Sequence, residues 1–177
     1  MHYLDLKLPS RLFAQILRVT EVGLRQWIRG TNFRDNYLEL DGQIERPGGA
    51  RFFSFTDLVR IQILLTLRDD FGVSTKVAVQ MCNLAFGDIA HGVKQVWSDR
   101  AGVNQWTDLN GPFLSIYGGR WPENLHACLF SDRAACASTV TGCVLVQIDL
   151  ACAVYKAFMT LQRDDVADDI VAIMRSK

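Results

Sequence analysis

Leu12, Phe13, Ile16 and Leu17 recur at the three- and four-residue spacing that gathers apolar side chains on one side of a helix. Ser10, behind Pro9, is a capping residue, so a short helix is predicted over about 11–17. The pattern breaks at Arg18-Val19 and then resumes. Thr20 is a second cap, Glu21 puts a carboxylate in the first turn where the helix dipole favours it, and Val22, Leu24, Trp27 and Ile28 carry the stripe to about Arg29. Gly30 stops it. Two short helices joined by a tight turn outline a helix-turn-helix, a motif in which the second helix, predicted here over about 20–29, is the one that enters the major groove when it binds DNA.

From Thr31 to Phe53 the helical period disappears. "YLEL" alternates like a strand and "RPGGAR" carries the turn residues of a hairpin tip, which together predict a β wing. Thr56 is the predicted cap of a helix bearing Leu58, Ile61, Ile63, Leu64, Leu65 and Leu67, ended by "RDDFG"; Ser74 caps the next, "TKVAVQMCNLAF". After Phe86 one more amphipathic helix runs through Ile89, Val93, Val96 and Trp97. Glycine, proline and tryptophan then become frequent. "PFLSIY", "NLHACLF" and "STVTGCVLVQI" read as strands of an antiparallel sheet, and two helices follow from Asp149. The expected fold class is α+β: a mostly helical winged domain over 1–86, then a small α+β domain over 87–177 with an antiparallel sheet and two terminal helices.

Composition narrows the setting. The 177 residues are 49% hydrophobic, enough for a substantial core. No stretch approaches the roughly 18 apolar residues of a membrane helix, and "MHYLDLKLPSR" lacks a basic head with an apolar signal stretch, so a cytoplasmic protein with no membrane partner is expected. Five cysteines, Cys82, Cys128, Cys136, Cys143 and Cys152, are an odd number with no C-x-x-C spacing, and read as reduced, mostly buried thiols. The formal net charge is zero, yet residues 1–34 hold six cations (Lys7, Arg11, Arg18, Arg25, Arg29, Arg34) against Asp5 and Glu21, a local balance of +4. Screening over about 8–10 Å lets such a patch act on an anionic polymer independently of the distant carboxylates.

The order helix, turn, helix, wing, helix, helix resembles the DNA-binding domain of the MerR family of winged-helix regulators over about residues 8–85. Where that family has Val-Ser-x-x-x-Leu-Arg-Tyr-Tyr, this chain has Val19-Thr20-Glu21-Val22-Gly23-Leu24-Arg25-Gln26-Trp27. The family's Gly-Tyr-Arg-x-Tyr-x-x-x-Asp-Leu corresponds to Gly49-Ala50-Arg51-Phe52-Phe53-Ser54-Phe55-Thr56-Asp57-Leu58, and "GVSTKVAV" is similar to its Gly-Phe-Ser-x-x-x-Ile helix start. Arg18 stands where the family commonly has a turn glycine, Gln26 replaces the first tyrosine, the wing is longer, and no uninterrupted heptad pattern follows to make the family's dimerising helix.

The resemblance implies double-stranded DNA as partner and a sequence-specific transcription regulator as function. Thr20 and Val22 are placed to face bases; Arg25 and Arg29, four apart, share a face suited to phosphates or a guanine edge. Arg18 joins this cationic set, and Arg46 would sit at the wing tip. For Arg51 the resemblance implies a phosphate contact; the alternative is a surface ion pair with Glu45 or Asp57. About four to six phosphates would be neutralised per protomer. A homodimer is expected through the second half, which could also serve ligand sensing or contact RNA polymerase or another protein. Two alternatives stand beside this: a DNA-binding adaptor of a phage or mobile element for packaging or recombination, and a protein-interaction module that has lost DNA binding.

Neither catalysis nor a cofactor is expected. His2, His91 and His126 lie in no nucleophile or metal motif, and "GGAR" and "YGGRW" lack the strand-loop-helix context of phosphate loops. Cys128 and Cys136 have the C-x7-C separation of the metal loop in copper-sensing MerR members, but both flank predicted strands and are expected to be small apolar residues rather than metal ligands.

Overall fold

The first apolar stripe folds as α1 (Ser10–Ile16), burying Leu12, Phe13, Ala14 and Ile16, and the second as α2 (Glu21–Arg29). The computed structural model describes residues 3–29, 38–40, 43–44, 51–100, 106, 111–118, 125–131 and 144–175, with the backbone alone at Trp27, Arg29, Gln43, Ile44, Val144 and Leu145. Among them are seven α-helices and two three-stranded antiparallel sheets, a mixed α+β architecture.

The first sheet has β1 (Leu8–Pro9), β2 (Gln43–Ile44) and β3 (Arg51–Phe53) in the order β1-β3-β2. Leu8 pairs with Phe53, and Ile44 with Arg51. Phe13 stacks on Phe53 with ring centroids 4.4 Å apart, fastening α1 to this sheet. The strand expected at "YLEL" is absent from its described part: Leu38 is buried, and the Glu39 N–H donates to Asn83 Oδ1 at 2.9 Å. A side-chain amide replaces ladder pairing there, and among the described residues of this segment Gln43 and Ile44 are paired.

Helix α3 (Phe55–Asp69) is capped by Ser54, not by Thr56 as expected. Ser54 Oγ accepts from the Asp57 N–H at 3.0 Å, while Asp57 Oδ2 accepts from the Ser54 N–H at 2.9 Å. A carboxylate three residues on closes this reciprocal box, and Thr56 has only Val59 at that distance. Ser74 caps α4 (Thr75–Leu84) as expected, accepting from the Val77 N–H at 3.4 Å. Helix α5 (Phe86–Arg100) follows directly, burying Ile89, Val93 and Val96.

The second sheet has β4 (Phe113–Gly118), β5 (Leu125–Phe130) and β6 (Val144–Asp149) in the order β5-β4-β6. Asp149 caps α6 (Leu150–Leu161), accepting from the N–H groups of Ala151 and Cys152, and α7 (Asp164–Arg175) ends the described chain. Gly92 lets Leu150 and Leu129 lie directly against the backbone of α5, where a Cβ would collide with Leu150.

One continuous core runs from Leu6 to Ile170, and α3 packs on α4, α5 and α6. The expected boundary at 86/87 falls in the first turn of α5. Tyr3, Phe55, Trp97 and Phe158 join the start of the chain to α3, α5 and α6, with Tyr3 5.2 Å from Phe158 and Phe55 5.5 Å from Trp97. Among the described residues no helix is long and apolar enough to cross a membrane.

Candidate nucleic-acid interface

The α1–α2 turn is built on a backbone conformation that side chains disfavour. Leu17 closes α1, the Arg18 N–H donates to the Gln15 carbonyl at 3.0 Å, and Arg18 has φ +55°. It is the one non-glycine residue with positive φ among those described. Left-handed backbone costs a residue with a Cβ about 1–2 kcal/mol, which accounts for the glycine common here in the family the sequence resembles. Beyond the turn, Thr20 Oγ1 accepts from the Gly23 N–H at 3.0 Å and the Thr20 carbonyl from the Leu24 N–H at 2.9 Å, which starts α2.

Helix α2 has two unlike faces. Leu24 is buried at 1% exposure and Ile28 packs against the core, the inner side of the stripe that meets α1. Val22, Arg25 and Gln26 are exposed, at positions i, i+3 and i+4 of one outward face. Val22 is 61% exposed. Arg25 Nη2 lies 3.4 Å from Glu21 Oε2, an exposed pair one turn apart that holds the guanidinium only loosely. Gln26 was not among the expected contacts. Its spacing of four from Val22 was the available signal, and a glutamine amide can bond two adenine edge atoms together.

Arg18, Thr20, Val22 and Arg25 thus cluster at the turn and the first turns of α2. Arg51 sits elsewhere, half-buried at the start of the central strand β3, where its carbonyl accepts from Ser10 Oγ at 3.0 Å. The proposed ion pair between Arg51 and Asp57 does not form: Asp57 is fully buried, with its Oδ1 3.1 Å from Arg60 Nη1. Arg46 and Glu45 lie outside the described residues, as do the side chains of Arg29 and Trp27.

Cys82 is buried, and loss of solvent pushes its thiol up to about 12 despite the nearby Arg60 charge. Cys128 is half-buried on β5 and Cys152 is exposed on α6, so the expectation of mostly buried thiols holds for Cys82 alone of these three. Cys136 and Cys143 lie outside the described residues. No protein-family model matches the chain, and a search of curated proteins finds no match either.

Proposed function

We propose that the chain is a sequence-specific DNA-binding transcription regulator of MerR-like winged-helix type, with α2 read into the major groove. The observation that carries this reading is the outward face of α2: a valine, an arginine and a glutamine in solvent at helical spacing, behind a turn bearing another arginine. These side chains match what base edges offer. Valine suits the thymine methyl, glutamine the adenine edge, and arginine guanine or phosphate. Thr20 retains a hydroxyl proton to donate while its oxygen caps the helix. Arg29, Arg46 and Arg51 complete the cationic set, and binding as a homodimer would let two copies of α2 read two half-sites.

Selection of bound sequences from random duplex DNA tests this. The wild-type chain is expected to enrich one defined motif, and Val22→Ala to change the preference at one base position while keeping overall affinity within a few-fold. Enrichment of no motif, with no retention of duplex DNA, contradicts the reading and leaves α2 as a protein-binding face. A motif within promoters identifies a regulator. One confined to phage or mobile-element ends identifies a packaging or recombination adaptor.

A further inference from the structure

The turn that bears Arg18 is gripped from the far end of the chain. Arg163, in the corner between α6 and α7, donates from Nη1 to the Ile16 carbonyl at 2.9 Å and from Nη2 to the Gln15 carbonyl at 3.3 Å. These are last-turn carbonyls of α1, at the negative end of its dipole, and the Gln15 carbonyl also accepts from the Arg18 N–H at 3.0 Å. The same guanidinium is held by Asp165, whose Oδ1 is 2.9 Å from Nε and Oδ2 2.7 Å from Nη2. Gln15 returns the contact, donating from Nε2 to the Asp165 carbonyl at 2.9 Å. Helix α7 also packs along α1. Two residues past Ile16 stands Arg18, in its left-handed conformation.

A strained residue keeps its conformation only where its surroundings over-determine it. Here α1's last carbonyls are fixed by an arginine 147 residues away in sequence, and the direction in which α2 leaves the turn depends on them. We propose that Arg163 is a positioning residue for the DNA-reading helix: through the α6–α7 corner, the second half of the chain sets the angle between α1 and α2 and so controls affinity for duplex DNA. Resting on the DNA-binding reading given above, this makes the corner the route by which anything bound to the C-terminal half alters DNA binding. It requires no contact between Arg163 and DNA.

A double-substitution cycle separates this role from a plain stabilising one. Wild type, R163M, R18G and the combined variant are compared by fluorescence anisotropy on random-sequence duplex DNA, at a temperature where circular dichroism shows all four folded. Glycine occupies left-handed backbone without strain, so the turn in R18G keeps its geometry with less help from the clamp. R163M is expected to weaken binding about tenfold in the native background and about twofold in the R18G background, the size of coupling expected for groups sharing one local geometry. R163K, which keeps the charge but loses the fork, falls between wild type and R163M. Equal losses in both backgrounds, or undiminished binding by R163M, overturn the positioning role while leaving DNA binding intact. Failure of the wild-type chain to bind duplex DNA overturns the functional reading, and this inference with it.

Discussion

Asp57 and Arg60 form an ion pair with both side chains wholly buried, Oδ1 lying 3.1 Å from Nη1 one turn along α3. The guanidinium also stacks over the Phe86 ring, 3.6 Å from its centroid, and donates to the Phe86 carbonyl at 3.1 Å. Asp57 closes the Ser54 cap as well, so this one pair joins the start of α3 to the α4–α5 junction. Breaking a buried pair strands a charge. Asp57→Ala is therefore expected to destabilise the fold by about 3–5 kcal/mol. Joint replacement of Asp57 and Arg60 by leucine is expected to cost less than the two single changes summed. Urea unfolding midpoints check both.

Thr20 would tie stability to the proposed recognition, because the oxygen that starts α2 belongs to the side chain that this proposal assigns to a base. Thr20→Ala is expected to cost about 1 kcal/mol of stability through the lost cap, whereas Thr20→Ser retains it. Thermal unfolding of the two variants checks the difference.

Acid is expected to loosen the α1–α7 junction. Hydrogen bonds from the Arg163 guanidinium, with its charge adding in the same sense, hold the Asp165 carboxyl below the usual carboxylate range. Because the folded value is the lower one, the stability it contributes is present above the ordinary carboxylate pKa and disappears as pH falls through the folded value. Asp165→Asn is expected to flatten the fall in melting temperature between about pH 5 and about pH 3. Superimposable pH profiles for variant and wild type would show that the pair contributes nothing.

The thiols are expected to divide by exposure. Cys152 is exposed on α6 and reacts promptly with a maleimide, while Cys82 is buried, its thiol pushed up to about 12, and reacts only on unfolding. Mass mapping of labelled peptides with and without urea checks this.

Apolar stripes foretold most helices to within a residue or two, α1, α4 and α6 among them. Thr20 and Ser74 cap as expected. Ser10 does not, since it lies inside α1 behind Pro9 and its Oγ donates to the Arg51 carbonyl instead. Where two local signals competed, reading went astray: Ser54 and Thr56 both precede the stripe of α3, and only the reciprocal bond to Asp57 selects Ser54. The alternation of "YLEL" pointed to a strand, yet Leu38 is held by burial and Glu39 by the Asn83 amide, a contact 44 residues distant. At the candidate interface, Thr20, Val22 and Arg25 were legible as one end of a helix. Asp57 was offered to Arg51 as a surface partner, although its spacing of three from Arg60 within an apolar helix was the better signal. The Arg163 clamp had no sequence signal, since pairing across 147 residues is set by the packing of α7 on α1.

The most direct measurement is equilibrium binding of duplex DNA by fluorescence anisotropy over a series of salt concentrations, for wild type and for Arg25→Ala and Arg51→Ala. Wild-type affinity is expected to fall steeply and linearly on logarithmic axes, with each substitution weakening binding and reducing the slope by about one ion. Binding that is absent at low salt, or identical in all three proteins at every salt concentration, would contradict the account.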